Sequence, residues 1–325
     1  MKITNSSRLS ILLAFLAFAL PTNQGLAKKH SGGGGESEEH IKKALEFMDA
    51  KHFDPAAEEF GKAIAVSPND ARLYHNRAIA YFNAGQAAEA AHQPEDAAAR
   101  YDSAVKDFSK EIELTPKSEA GYLGRGQVEV MQRQYDPGLA DLAKALEINP
   151  NSDIALKFRG FAEISLEQWD KAAADFTAAI QKNPADLQSY DRRALAYRKL
   201  NNPDAAIADY STIIEKNPND ADALTKRGYT YSLQQEYTKA IADYEQVMKL
   251  NPNDIDTPQR LQYARGMLAA AKAPPPSNVA PTPAASPGLL TPVNIVIAVI
   301  VLIAIAVVVR LLTRGKDEHT SHRIR

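Results

Sequence analysis

The sequence predicts an all-α protein: a solenoid of helical hairpins followed by one transmembrane helix. A proline preceded by Thr or Asn recurs every 34 residues, at Pro116, Pro150, Pro184, Pro218 and Pro252. Between these prolines, apolar residues follow the helical period in two segments, and a polar turn separates the segments. The third observation is a long apolar run near the C-terminus, which has no polar stripe and is long enough to cross a bilayer.

The positions of the prolines predict six repeats. The repeats begin at Ser37, Ala71, Glu119, Asp153, Leu187 and Ala221. One helical hairpin cannot bury both of its faces, so successive hairpins are expected to stack. After the last repeat, Thr257-Pro258 predicts the start of a capping helix, and the solenoid with this helix covers residues 37–272.

The second repeat is longer than the others. The interval from Pro68 to Pro116 exceeds the common period by 14 residues, and the additional segment falls near residues 87–100. This segment consists almost entirely of helix formers, with Pro94 in its middle. We therefore expect both helices of this repeat to lengthen by about two turns and to form a finger that protrudes from the solenoid.

Each repeat sets a large side chain of its second helix against small residues. Without the insertion in the count, the eighth and twentieth residues are always Gly or Ala, and the 24th is Phe, Leu or Tyr. This pattern and the period resemble the tetratricopeptide repeat family over residues 37–254. The resemblance implies a right-handed solenoid whose first helices line a concave face that binds protein or peptide partners.

A pair of charges recurs in register with the repeats. The seventh residue is Arg and the 23rd is Asp in five repeats, whereas the first repeat has Lys43 and Glu59. We interpret the two charges as an ion pair between the helices of one repeat. A row of catalytic carboxylates is the alternative interpretation.

The resemblance also implies which residues line the groove. The predicted groove residues are Leu123, Val130, Met131, Ile154, Phe158, Phe161, Ile164, Arg192, Arg198, Lys199 and Lys226. An extended or helical segment with apolar anchors and an acidic end would suit this surface, and packing between helices is the alternative role of the apolar members. A clamp for the acidic tails of heat-shock chaperones is not expected, because only Asn76 among five matching positions has the required side chain.

Residues 1–27 are interpreted as a cleaved secretory signal peptide. Lys2 and Arg8 precede an apolar run that is short for a membrane helix, and Gly25-Leu26-Ala27 supplies the small residues of a cleavage site. An uncleaved anchor is the alternative. Residues 28–36 are predicted to form a flexible glycine-rich linker.

The C-terminal region predicts a membrane anchor. A proline-rich linker, a transmembrane helix and a basic tail are predicted for residues 273–292, 293–312 and 313–325. Basic residues beside a membrane helix favour the cytoplasmic side, so the solenoid is expected outside the cytoplasm, in the periplasm if the source is a bacterium. A buried core helix is the alternative role of the apolar run.

No catalytic, cofactor or metal site is predicted. The 325 residues include no cysteine, which excludes thiol catalysis and disulfide scaffolds, and no phosphate-binding or hydrolase motif is present. The excess of acidic residues between the termini argues against nucleic acid as a partner. We expect a non-catalytic scaffold or adaptor that binds protein partners and takes part in cell-envelope assembly. A tail-anchored adaptor that faces the cytosol and an enzyme with an unrecognised site stay open as alternatives.

Overall fold

The computed structural model describes residues 35–273, and all regular secondary structure in this range is α-helical. The helices are α1 (Gly35–Asp49), α2 (Phe53–Val66), α3 (Ala71–Ala90), α4 (Pro94–Leu114), α5 (Glu119–Met131), α6 (Tyr135–Ile148), α7 (Asp153–Ser165), α8 (Trp169–Lys182), α9 (Leu187–Lys199), α10 (Pro203–Lys216), α11 (Ala221–Leu233), α12 (Tyr237–Leu250) and α13 (Thr257–Lys272).

The first twelve helices form six stacked hairpins. In each repeat, an odd-numbered first helix packs against the even-numbered second helix, which then packs against the first helix of the next repeat. The helix α13 covers the last hairpin, where Ala264 packs with Tyr244. The first helices of repeats two to six begin at the predicted residues, so the predicted solenoid of helical hairpins is confirmed for the described residues.

Small residues allow close packing of the two helices in a hairpin. A Cβ atom added to Gly160 would lie 2.9 Å from the ring of Phe176, and one added to Gly228 would lie 2.9 Å from the ring of Tyr244. Both distances are shorter than carbon atoms tolerate, so a larger residue would displace the ring. The predicted contact between small and large positions is therefore confirmed.

The turn inside each hairpin has one geometry throughout. The residues with positive φ are Lys51, His92, Arg133, Glu167, Asn201 and Gln235, with φ between 57° and 63°. The residue after each of them donates its N–H to the carbonyl oxygen five residues earlier, as Gln168 does to Glu163 at 2.8 Å. This arrangement is a Schellman motif, which satisfies carbonyl groups at the end of the first helix.

The recurring Arg–Asp pairs are formed in five repeats. In each pair, two guanidinium nitrogens donate to the two carboxylate oxygens at 2.5–2.9 Å. The pairs are Arg77–Asp107, Arg125–Asp141, Arg159–Asp175, Arg193–Asp209 and Arg227–Asp243. The predicted ion pair between the two helices of a repeat is therefore confirmed in these five repeats. The carboxylates are buried, so the pairs lie in partly desolvated surroundings.

The first repeat does not form the predicted pair. Lys43 donates to Glu39, one turn earlier on the same helix, at 2.6 Å. Glu59 instead contacts His40 and Lys62. The prediction of a Lys43–Glu59 pair is wrong, because a lysine ammonium lacks the planar fork that lets Arg hold a carboxylate of the other helix with two bonds.

The insertion lengthens both helices of the second repeat. The helices α3 and α4 have 20 and 21 residues, whereas α5 and α6 of the next repeat have 13 and 14. The difference of about two turns per helix confirms the predicted lengthening.

Near the base of the finger, Arg100 donates to Asp54 at 2.9 Å, and Gln132 donates to Asp102 at 2.7 Å. These bonds connect the finger to the first and third repeats.

Several predicted segments lie outside the described residues. They are the signal peptide, residues 28–34 of the first linker, residues 274–292 of the second linker, the transmembrane helix at 293–312 and the basic tail. The last two residues of the first linker, Gly35 and Glu36, are instead the start of α1, so the prediction of a flexible linker is wrong for them. None of the helices between residues 35 and 273 is long and apolar enough to cross a membrane. The compact unit that contains the solenoid ends at Ala269, and a second unit begins at Ala270.

Candidate partner-binding surface

One face of the solenoid is formed by the first helices of the repeats. Besides packing against second helices, α3 contacts α5, α5 contacts α7, and α7 contacts α9. This face is the concave surface to which the predicted groove residues were assigned. Its side chains have two possible environments, the surface itself and the seams between adjacent first helices.

Five of the predicted groove residues lie in the seams. The exposed fractions of Val130, Met131, Phe158, Phe161 and Ile164 are between 2% and 8%. The Phe161 ring packs edge-on against Phe158 and Phe176, with centroid distances of 6.1 and 5.2 Å. The expectation that these side chains are accessible is corrected: they form interhelical core, because their positions face the neighbouring helices as much as the groove.

The other predicted residues in the middle of the array are also largely engaged. Leu123 and Ile154 are half-buried and pack against the core. The guanidinium of Arg192 lies 5.8 Å from the ring of Phe161, and its side chain is mostly buried. Lys199 is exposed, with its ammonium 5.4 Å from the ring of Trp169. The middle of the concave face therefore offers little apolar surface.

The accessible part of the concave face lies at the C-terminal end. Two predicted residues, Arg198 and Lys226, line a groove of about 860 Å³ there. The other principal lining residues are Tyr229 and Leu233 of α11 with Arg260 and Tyr263 of α13. We call these six residues the C-terminal groove.

The C-terminal groove exposes large apolar side chains. Tyr229, Leu233 and Tyr263 are 41%, 58% and 58% exposed. Tyr229 and Leu233 are the ninth and thirteenth residues of the last repeat, so the family pattern could have identified them. Tyr263 lies after the repeats, and no periodic signal marks it.

The cations of this groove differ in their surroundings. Lys226 donates to both Asp191 and Asp222 at 2.6 Å. Burial acts to lower the pKa of Lys226, but the charges of these two carboxylates outweigh it and raise the pKa. The guanidinium of Arg198 lies 4.7 Å from the ring of Tyr229, a distance typical of a cation–π contact.

A second cleft lies beside the finger. It has a volume of about 580 Å³ between the finger and the turn of the third repeat, and Met131, Pro94 and Ala97 contribute to its walls. Tyr101 also lines it, and its buried hydroxyl lies near the carboxylate of Glu89. Burial raises the pKa of Tyr101, so this hydroxyl stays protonated at neutral pH.

Two buried carboxyl groups occupy equivalent positions in the middle repeats. Glu129 and Glu163 are the eleventh residues of the third and fourth repeats, where Tyr197 and Tyr231 stand in the last two. Burial, with the nearby charges of Asp141 and Asp175, raises the pKa of Glu129 and of Glu163 to about 7. Within residues 35–273, no cluster of acidic and histidine side chains is arranged to hold a metal ion.

Comparison with protein-family models identifies the repeats. A tetratricopeptide repeat model matches residues 84–153 and 192–255, and a second tetratricopeptide repeat model matches residues 59–93. The matched residues lie within the solenoid and support its assignment as tetratricopeptide repeats. No curated protein matches the chain.

Solved structures contain the same tetratricopeptide-repeat fold. YrrB, a tetratricopeptide repeat protein with an unusual peptide-binding site, is 22% identical with a TM-score of 0.51, over 65% of this chain and 99% of its own. PilF of Pseudomonas aeruginosa is 14% identical with a TM-score of 0.53, over 71% of this chain and 97% of its own. The Cut9–Hcn1 hetero-tetramer of the APC/C contains a chain that is 16% identical with a TM-score of 0.52, over 80% of this chain and 46% of its own. At these identities the likeness establishes the fold.

Proposed function

We propose that this protein is a non-catalytic scaffold that holds a protein partner in the C-terminal groove of its tetratricopeptide-repeat array. The observation that carries the proposal is the concentration of large exposed apolar side chains in this groove. Aromatic side chains and arginine are the residue types that most often dominate binding energy at protein interfaces. Tyr229, Tyr263, Arg198 and Arg260 supply both types in one concave site.

The fold supports a role in binding. Tetratricopeptide-repeat arrays present extended concave surfaces, and YrrB, which shares the fold, has a peptide-binding site. Full burial of an apolar side chain against rings such as Tyr229 and Tyr263 would stabilise a complex by about 1.5–3 kcal/mol. Two or three such contacts are enough for specific, reversible binding of one segment.

Crosslinking in living cells tests the position of the binding surface. A photoreactive amino acid replaces Leu233 in the C-terminal groove or, as the matched control, Ile148, an exposed apolar residue on a second helix. The proposal predicts a specific crosslinked product with the probe at Leu233 and none with the probe at Ile148. Equal crosslinking at both positions, or crosslinking at Ile148 alone, would contradict the proposal.

We also propose that the scaffold is anchored in a membrane by residues 293–312 and displayed outside the cytoplasm, where it would serve cell-envelope assembly. The support is in the sequence: an apolar run of bilayer length, basic residues after it, and a secretory-type N-terminus. A reporter that is active only outside the cytoplasm should work when fused after Lys272 and fail when fused after Arg325. The opposite pattern would favour the cytosol-facing alternative.

A further inference from the structure

We infer that the C-terminal groove selects a partner segment in which a carboxylate lies next to an apolar side chain. This inference rests on the proposed function and specifies the chemistry of its partner. It follows from three features of the groove: which of its cations lack an acidic partner, how Arg198 is oriented, and where the exposed apolar side chains lie.

Two of the three cations in the groove are available to an acidic ligand. Lys226 is already bound by Asp191 and Asp222. Neither Arg198 nor Arg260 forms an ion pair with an acidic side chain among residues 35–273, and the group that Arg198 contacts beside Tyr229 is the neutral hydroxyl of Tyr210. The charge of Arg260 acts on Asp254, but this carboxylate already accepts hydrogen bonds from the backbone N–H groups of Asp256 and Thr257.

The orientation of Arg198 suits a carboxylate. Its guanidinium is held 4.7 Å from the ring of Tyr229, which reduces the conformational freedom that binding would otherwise remove. A guanidinium held in this way can present two N–H groups to one carboxylate. Arg260, on α13, adds a second positive charge to the lining of the same groove.

The apolar side chain of the ligand has its own site. Leu233 and Tyr263 are each 58% exposed and line the same groove as the two arginines. Apolar contact with these residues would contribute affinity, whereas the arginines would contribute selectivity and a dependence on salt. A segment that carries only a carboxylate would contact the arginines alone, and a segment that carries only an apolar side chain would contact Leu233 and Tyr263 alone.

Four synthetic peptides test the inference on the full chain purified in detergent. The peptides are Ser-Gly-Phe-Glu-Glu-Gly-Ser, its Gln-Gln counterpart, its Lys-Lys counterpart, and Ser-Gly-Ala-Glu-Glu-Gly-Ser, all blocked at both ends and carrying the same fluorophore. Fluorescence anisotropy at low salt measures their dissociation constants. We expect the Phe-Glu-Glu peptide to bind at least about tenfold more tightly than each of the others, and its affinity to fall as salt is added.

Matched variants assign the selectivity to the groove. Arg198→Gln and Arg260→Gln should each weaken binding of the Phe-Glu-Glu peptide at least about threefold and leave the Gln-Gln peptide unchanged. The control is Arg265→Gln, on the same helix as Arg260, because Arg265 pairs with Glu245 at 2.8 Å and does not line the groove. Leu233→Ser should weaken both peptides. Since Arg260 is exposed, its variant is expected to fold even if loss of Arg198 perturbs the last repeat.

Failure of this inference differs from failure of the proposed function. If the Gln-Gln peptide binds as tightly as the Phe-Glu-Glu peptide, or if Arg265→Gln weakens binding as much as Arg260→Gln, the selectivity for a carboxylate is wrong and the scaffold role stands. If no peptide binds while Leu233 still crosslinks to a partner, the inferred ligand chemistry is likewise wrong. Loss of crosslinking at Leu233 in cells would overturn both.

Discussion

The arginines of the Arg–Asp pairs also connect neighbouring repeats. In three repeats the arginine also donates to a hydroxyl 16 residues earlier, on the second helix of the preceding repeat. These bonds join Arg125 to Ser109, Arg193 to Thr177 and Arg227 to Ser211, at 3.0–3.1 Å. Each of these arginines therefore links three helices. The two remaining arginines, Arg77 and Arg159, face Gly61 and Ala143 at the corresponding positions, and neither of these has a hydroxyl.

A hydroxyl at position 61 should complete the missing link to Arg77. A Cβ atom at Gly61 would lie 3.4 Å from Nη1 of Arg77, which is ordinary contact, so Gly61→Ser can place its Oγ within bonding distance. The control is Gly61→Ala. Ser is the poorer helix former by about 0.5 kcal/mol, whereas a hydrogen bond to a charged group contributes about 1.5–3 kcal/mol. Gly61→Ser should therefore melt at or above the temperature of Gly61→Ala; a lower melting temperature would show that the bond does not form.

The buried carboxyl groups of Glu129 and Glu163 make the middle repeats sensitive to pH. The pKa of each is raised from 4.5 to about 7 by burial and by the nearby Asp141 or Asp175, and it is lowered in part by Arg125 or Arg159. Between these two pH values the folded protein binds protons that the unfolded chain has released. The stabilisation from these protonated groups is therefore complete below about pH 4.5. The free energy of unfolding then falls as the pH rises from 4.5 to about 7, and the stabilisation is lost above that pH.

The double variant Glu129→Gln, Glu163→Gln should remove this decline. At one pKa unit per about 1.4 kcal/mol, each carboxyl group accounts for at most about 3 kcal/mol. Melting temperatures of the variant and the wild type should agree near pH 4.5 and diverge as the pH rises, with the variant more stable at pH 8. A constant difference across this range would show that neither group titrates with a raised pKa.

At the scale of the elements, the finger is an insertion into an otherwise regular hairpin. With residues 87–100 removed, Gly85-Gln86-Tyr101 would align with Glu167-Gln168-Trp169 of the fourth repeat. Glu167 has a φ of 58°, so the deletion would place a glycine at the residue where the turn requires a positive φ. Tyr101 would then take the place of Trp169 at the start of the second helix.

Deletion of residues 87–100 should therefore leave a folded solenoid. The ion pair between Arg100 and Asp54 would be lost, but exposed pairs contribute only about 0–1 kcal/mol. Circular dichroism should show a loss of helix proportional to the residues removed, with little change in melting temperature. The control deletion of residues 88–100 retains one additional residue and rotates the second helix by about 100°, so it should be clearly less stable. Equal behaviour of the two deletions would contradict the alignment.

At the scale of the whole molecule, the sequence predicted the repeats better than the binding surface. Prolines and the spacing of small and large residues placed the starts of α3, α5, α7, α9 and α11 correctly, because each is determined by local geometry. The Schellman turns could not be predicted from the sequence, because glycine usually marks such a turn, whereas the positive-φ residues here include Lys51 and Glu167 and no glycine. The row of hydroxyl groups 16 residues before the arginines was visible in the sequence and could have been found.

The groove was harder to predict because packing and binding use the same residue types. Phe158 and Phe161 have the spacing expected of groove residues, yet both are core, since an apolar side chain on a first helix can turn into the seam with the next helix. The charged residues predicted the position of the groove better than the apolar residues did, because Arg198 and Lys226 line the C-terminal groove. Tyr263 could not be predicted, because α13 lies outside the repeat pattern.

The central claim is that the repeats are modular and that binding takes place in the C-terminal groove. Deletion of Asp153–Asp186, one whole repeat, removes Phe158 and Phe161 but leaves α9 to α13 intact. Crosslinking from a photoreactive residue in place of Leu233, in the deleted chain and in the full chain in cells, tests this claim most directly. The account predicts the same crosslinked partner in similar yield from both chains, with helical content reduced in proportion to length. Loss of the crosslinked product from a deleted chain that keeps this helical content would contradict it.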